Sequence, residues 1–161
     1  VQFIQPLTPP QTESLKAFQQ ALSAGRISTL VILGGNPAYT LPADLDFSSN
    51  AKKVKTLIHL GLEHDETAAL AAWCLPQAHY LEAWGDGRSS DGTASIQQPV
   101  IAPLYGGRTA SEVLALIAGL PATSAYELVK NYWTGTFAGD KEKAWRKTLH
   151  DGMIEGSAYA P

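Results

Sequence analysis

Apolar positions along the chain follow two different periods. Leu15, Phe18, Ala21 and Leu22 recur at helical spacing, and Gly25 suits the end of that helix. Its start reads from Thr8-Pro9-Pro10-Gln11, where a threonine can cap, a proline suits the first helical position and a glutamine can reach back. From Ser28 to Leu33 the pattern becomes a continuous β-branched and apolar run, which predicts a strand buried on both faces, as in a parallel sheet. Gly34, Gly35, Asn36 and Pro37 end it. The glycines let the chain bend sharply and bring bare backbone N–H groups to the strand's carboxyl end, where ligands sit in open α/β sheets. An ordinary strand and turn without any ligand fits the same stretch.

Beyond this turn, Leu41–Asp46 has no period. A short helix over about Ser49–Val54 precedes a second strand, Thr56–Leu60. Asp65–Ala72 is alanine-rich with acids where a helix dipole favours them, so it predicts a short helix. Trp73–Leu75 is a third strand, stopped by Pro76. Strand and helix alternating at this spacing argue for an α/β fold with parallel pairing and right-handed crossovers. Trp84–Pro103 is rich in Gly, Ser, Asp and Gln and predicts a long surface loop, with an extended piece at Gln98–Ile101. Thr109-Ala-Ser-Glu112 and Ser124-Ala-Tyr-Glu127 are capping boxes. The first opens a helix with Val113, Leu114, Ile117 and Leu120 inward, ended by Pro121. The second opens one with Tyr126, Val129 and Trp133 on a stripe. A last helix, about Asp140–His150, buries Trp145 and Leu149.

Composition narrows the function classes. The chain has 161 residues, 45% hydrophobic and 17% charged, which are globular values. A net charge of −3 and no block of Lys or Arg give nucleic acid and anionic membranes nothing to bind. A single cysteine, Cys74, excludes an internal disulfide framework and a cysteine-ligated iron–sulfur cluster within these residues. No apolar run approaches the ~20 residues of a membrane span, so direct membrane insertion is not expected. There is no basic segment followed by an apolar one to serve as a secretion signal, and a start at Val1 reads as an excised segment.

Familiar catalytic motifs are missing: no G-x-G-x-x-G, no P-loop and no G-x-S-x-G elbow. Cys74, inside an apolar strand, reads as a buried structural thiol. Glu63-His64-Asp65-Glu66 is a dense set of possible metal ligands, and His79 and Glu82 stand three apart. Neighbours in sequence rarely converge on one ion, however, and the spacing matches no established arrangement. Asp65 and Glu66 are better read as helix-start residues, His59 as a packed strand residue, and Trp133 and Trp145 as core. No metal site and no catalytic residue is expected.

Taken in order, several pieces resemble one domain of the molybdopterin oxidoreductases. They are Leu-Gly-Gly-Asn36-Pro37 after a strand, Asp65-Glu66-Thr67-Ala68, the run from Ala71 through Leu75-Pro76 to Glu82, and Gly85, Gly92 and Ile96-Gln97. The resemblance covers roughly Thr29 to Leu120. It implies a Rossmann-like three-layer domain with a mainly parallel sheet over residues 1–122 and a helical C-terminal extension over 123–161. It also implies that Gly34, Gly35, Asn36 and Pro37 line a nucleotide pocket for molybdopterin guanine dinucleotide, with Glu82, Gly85 and Gly92 beside the pterin. Departures from the family pattern bear on that pocket. Gly61 stands where an acid is usual, Gly85-Asp86 replaces Gly-Thr, Ser89 replaces an asparagine, and Asp91-Gly92-Thr93 replaces Glu-Gly-Arg. A lost arginine and a gained aspartate take away a charge-assisted donor and repel phosphate. These losses and the tail Ala144-Trp145-Arg-Lys-Thr-Leu-His-Asp-Gly152 are similar to the molybdopterin-like iron–sulfur subunits of bacterial quinol:cytochrome c oxidoreductase (alternative complex III). That narrower resemblance implies a domain with a vestigial pocket and no cofactor of its own. Iron–sulfur clusters would lie elsewhere in the parent chain. The partners would be its other domains and the subunits of a membrane-bound respiratory complex on the periplasmic face. An active dinucleotide-binding domain, or an unrelated nucleotide-binding module, remain the other readings.

Overall fold

The computed structural model describes residues 12–121 and 123–159. The capping residues expected at Thr8–Gln11 lie outside them. The sequence reading divides the chain after residue 122, whereas the contacts of the fold separate two compact units after Gln77.

In residues 12–77 three strands, β1 (Thr29–Leu33), β2 (Thr56–Gly61) and β3 (Trp73–Pro76), pair in parallel in the order β1-β2-β3. With its helices this makes a mixed α/β fold of the Rossmann-like kind. Register sets Leu30 beside Leu57 and Ile32 beside His59, so these four share one face of the sheet. Helix α1 (Thr12–Ser23) and helix α3 (Phe47–Ala51) supply that face with Leu22, Phe47 and Ala51, which are buried with Leu57. Gly25 ends α1 with φ of +66°, as its position suggests.

Four expectations are corrected in this unit. The Ser28 run is not buried on both faces: among the described strands β1 is an edge and half-buried, and β2 carries the buried Leu57, His59 and Leu60. A continuous apolar run signals two covered faces but cannot say where its strand lies in the order. Between β1 and β2 the chain makes a single-turn helix, α2 (Pro37–Thr40), then α3 over Phe47–Ala51 rather than Ser49–Val54. The expected helix at Asp65–Ala72 is only one 3-10 turn, Ala68–Leu70. Too few residues remain before β3 to nucleate more. Cys74 is exposed rather than buried, because β3 is also an edge. Pro76 sits in β3 opposite Gly61, tolerated because an edge strand can forgo one N–H.

Residues 78–159 are built on an antiparallel hairpin, β4 (Gly85–Arg88) and β5 (Ala94–Gln97), inside the stretch expected to be a loop. Alternation is confined to Ala94-Ser95-Ile96-Gln97, with alanine and isoleucine inward. The other edge of β5 is closed by the tail: Ile96 N–H donates to Gly152 O at 3.1 Å and Ile154 N–H to Ala94 O at 2.9 Å. Three helices follow the hairpin: α4 (Ala110–Ile117), α5 (Ala125–Thr136) and α6 (Lys141–Asp151). Both capping boxes form as read, Thr109 with Glu112 and Ser124 with Glu127. Val129, Trp133, Trp145 and Ile154 are buried with Ala94 and Ile96, and Tyr126 and Leu149 pack against them. α4 is the exception. It buries Val113 and Ala115 but leaves Leu114, Ile117 and Leu120 outside, because nearly every position is apolar and the period cannot choose a face. Among the described residues no helix is long and apolar enough to cross a membrane.

Candidate functional site

The first group of expected site residues lies at the carboxyl end of the parallel sheet. Gly34 and Gly35 both take positive φ, +80° and +73°, a conformation that only glycine adopts freely. Gly34 N–H donates to Leu60 O at 2.8 Å, so the turn begins as a continuation of the ladder. A Cβ on Gly34 would meet the Gln77 side-chain amide at 3.4 Å; one on Gly35 would meet open space. The N–H groups of Gly35 and Asn36 have no protein partner among the described residues. Pro37 opens α2 at its first position, where its missing N–H costs nothing.

Asn36 is held on both sides. Its Nδ2 donates to Glu66 Oε2 at 2.6 Å, and its Oδ1 accepts from Thr67 Oγ1 at 2.7 Å. Thr67 is fully buried and its hydroxyl also accepts the Ala38 N–H at 3.0 Å. The asparagine thus ties the β1 turn to the segment before β3. The amide hydrogen bond from Asn36 is also the main reason the Glu66 carboxyl lies below its usual pKa.

His59 occupies the middle of this strand end. It is 1% exposed, and its Nε2 lies 3.1 Å from Gly35 O, so Nε2 carries the donating hydrogen. Its Nδ1 lies 3.8 Å from Asp65 Oδ1, and that oxygen accepts the Ala68 N–H at 2.8 Å. The ring leans over Gly61: a Cβ there would stand 2.6 Å from His59 Cε1. The bare Cα of Gly61 thus leaves the space that the ring of the histidine two residues before it occupies. A hollow of about 230 Å³ remains, lined by His59, Gly61, Glu63, His64, Cys74 and Pro76 among others. Ligand pockets are usually ~300–1,000 Å³. This lining offers a carboxylate and no lysine or arginine, a poor environment for a pyrophosphate. Among the described residues no group of three or more His, Cys, Asp and Glu is arranged to hold a metal ion.

Glu82, Gly85 and Gly92 belong to the other unit, residues 78–159. Glu82 closes a capping box on His79: its Oε2 accepts the His79 N–H at 3.1 Å and its Oε1 the Leu104 N–H at 3.3 Å. Gly85 opens β4 opposite Gln97, whose amide would lie 3.4 Å from an added Cβ. Gly92 takes φ of +88° in the hairpin turn, and a Cβ there would collide with the Tyr159 ring at 2.2 Å.

The polar side chains around this hairpin are engaged locally. Asp86 Oδ2 accepts Trp133 Nε1–H at 2.8 Å, giving the buried indole its partner. Asp91 accepts from the Ser89 hydroxyl and from Thr93 N–H, which folds the turn on itself and holds its carboxyl below the usual range, the Ser89 bond contributing most. Arg88 donates to Gly92 O at 2.6 Å and Ser157 O at 3.1 Å, with its guanidinium 5.3 Å from the Trp133 ring centre.

His59 is packed in its strand, as its sequence position suggests, whereas Gln77 beside Gly34 and, in the other unit, Tyr159 over Gly92 were not read from the sequence. His59 left one usable signal, since it alternates with Leu57 and lies two residues before a glycine. Comparison with protein-family models finds none that matches the chain, and comparison with curated proteins finds none either.

Proposed function

We propose that this chain is a scaffold domain of a respiratory molybdopterin-oxidoreductase-like iron–sulfur subunit, with a cofactor pocket closed by its own side chains. It contributes shape and interface to quinol-to-cytochrome electron transfer at the periplasmic face of a bacterial membrane, and no catalytic residue. Its partners are the other domains of the parent chain, where the clusters lie, and the subunits of the membrane-bound complex. One observation carries the reading: the buried His59 ring spans Gly35 O and the space above Gly61, where the strand ends would otherwise open to a ligand. The loss of cationic and amide anchors supports it.

Elemental analysis and acid hydrolysis of the purified full-length protein test the proposal. Stoichiometric molybdenum with released GMP overturns it; neither is expected. The second reading, an active domain for molybdopterin guanine dinucleotide, has its own support. The left-handed pair Gly34-Gly35 presents the N–H groups of Gly35 and Asn36 without protein partners among the described residues, which suits an anion. Calorimetric titration with GDP separates the two, because micromolar binding favours the active domain and absence of heat the closed one.

A further inference from the structure

Both ring nitrogens of His59 face oxygen atoms that can only accept: Gly35 O, 3.1 Å from Nε2, and the ionised Asp65 Oδ1, 3.8 Å from Nδ1. A neutral imidazole carries one hydrogen, so either tautomer leaves a lone pair turned toward an acceptor. With the hydrogen on Nε2, Gly35 O is satisfied and Nδ1 confronts the carboxylate beyond hydrogen-bond range. Only the doubly protonated ring donates on both sides. The ring is buried and the carboxylate mostly so, which limits screening by salt. Both are held in place: the ring lies against the bare Cα of Gly61, and Asp65 Oδ1 accepts the Ala68 N–H at 2.8 Å. The other titratable groups bordering this strand end are Glu63, His64 and Cys74 around the hollow, and Glu66 at the Asn36 amide. Strand β1 and helices α2 and α3 contribute no charged side chain, and Lys16 of α1 is exposed. Among the described residues, Asp65 is the one carboxylate in ion-pair range of the ring.

We propose that His59 and Asp65 form a proton-operated clasp at the carboxyl end of the parallel sheet. When the imidazole takes its second proton, Nδ1–H donates to Asp65 Oδ1, and the charge-assisted bond draws the pair from 3.8 Å to about 2.8 Å. When that proton leaves, lone pair and carboxylate repel, and the segment Leu62–Thr67 loses its tie to β2. The ring keeps its bond to Gly35 O in both states, so the movement falls to the segment that carries Asp65. That segment also reaches the glycine turn, where Glu66 accepts from Asn36 Nδ2 and Thr67 Oγ1 donates to Asn36 Oδ1. Proton uptake at one buried ring therefore tightens two strand ends, β2 through Asp65 and β1 through Asn36.

The clasp goes beyond the proposed function and does not depend on it, since no molybdenum or nucleotide enters the argument. In the intact protein carrying isotope-labelled histidine, the His59 ring nitrogens are followed by nuclear magnetic resonance from about pH 5 to 8, where histidine changes charge. Both nitrogens are expected to carry hydrogen at the acid end. As pH rises Nδ1 gives up its proton while Nε2 keeps its own, and the Asp65 carboxyl-carbon signal moves with the same midpoint. Amide exchange over Leu62–Thr67, corrected for its intrinsic pH dependence, should be severalfold slower at the acid end. Asp65→Asn keeps an oxygen for the Ala68 N–H but removes the charge, and it should weaken proton binding at His59 by about tenfold or more. Should that variant fail to fold, the paired His59 and Asp65 signals of the unsubstituted protein decide the matter. A ring that keeps one protonation state across the range, an Asp65 signal that does not follow it, or a midpoint indifferent to Asp65→Asn overturns the proposal.

Discussion

Gly61 and His59 form the most constrained pair at the strand end, and the pair makes a test. Outside the left-handed region, replacing glycine by alanine in a folded chain normally stabilises by ~0.4–1 kcal/mol through the unfolded state. At Gly61 the added Cβ meets the buried imidazole at 2.6 Å, so Gly61→Ala is expected to cost about 1–3 kcal/mol of stability by urea denaturation. In a His59→Ala background the same change should fall to within ~0.5 kcal/mol of neutral. Equal costs in both backgrounds would mean that the ring does not fill this space. Asn36 and Glu66 give a second test, in pH. The Glu66 carboxyl lies below the ordinary 4.5 chiefly through the Asn36 amide. A depressed folded pKa contributes stability above the unfolded value, and that contribution is lost as pH falls through the folded one. Asn36→Ala should move the Glu66 carboxyl-carbon titration up toward 4.5, and the pH-dependent part of its destabilisation should vanish in acid. A Glu66 titration unmoved by the substitution contradicts the bond.

Elements whose local chemistry is self-sufficient could be read directly from the sequence. The Ser124 box is complete within four residues, so neither burial nor a distant partner was needed to place the start of α5. Ser124→Ala is accordingly expected to cost about 1 kcal/mol (~0.5–2), with Ser124→Asp close to neutral, both read from urea midpoints. Strand β2 was legible for a similar reason, a short apolar run between turn signals. What failed depended on distant parts of the chain. β4, Gly-Asp-Gly-Arg, contains no apolar residue and owes its extension to β5 and to Arg88 and Asp86 reaching Trp133. Asp91-Gly92 between two extended pieces was the hairpin signal available, set against a composition that suggested loop. α4 failed in the opposite sense: its apolar content was seen, but no period could tell which leucines its own unit buries.

At the scale of the whole molecule, the sequence marks glycines in both units and says little about which side chains lie beside them. Gly34 and Gly35 could be singled out from the turn that ends an apolar run, and Gly92 only through the resemblance; what fills the space beside each depends on residues far away in sequence. Tyr159 over Gly92 is the extreme case, and it makes the tail from Gly152 onward the closing piece of residues 78–159. That tail supplies Gly152 O to Ile96 and takes Ala94 O for Ile154; the Ser157 hydroxyl receives the Ala94 N–H at 2.8 Å, and Tyr159 N–H donates to Asp91 O at 2.8 Å. It also buries Ile154 against Trp145 and Ala94 in one cluster. Without it, Ala94, now fully buried, and Ile96 would lose the strand beside them, leaving backbone groups unpaired at the edge of an apolar core. Ending the chain at Asp151 is therefore expected to abolish the near-ultraviolet circular dichroism of Trp133 and Trp145 and to shift their emission to the red. Ile154→Ala, a milder change, should keep the fold and cost about 2–5 kcal/mol by urea denaturation. A shortened chain whose tryptophans keep their native spectrum would show that the hairpin and the three helices hold this core without the tail.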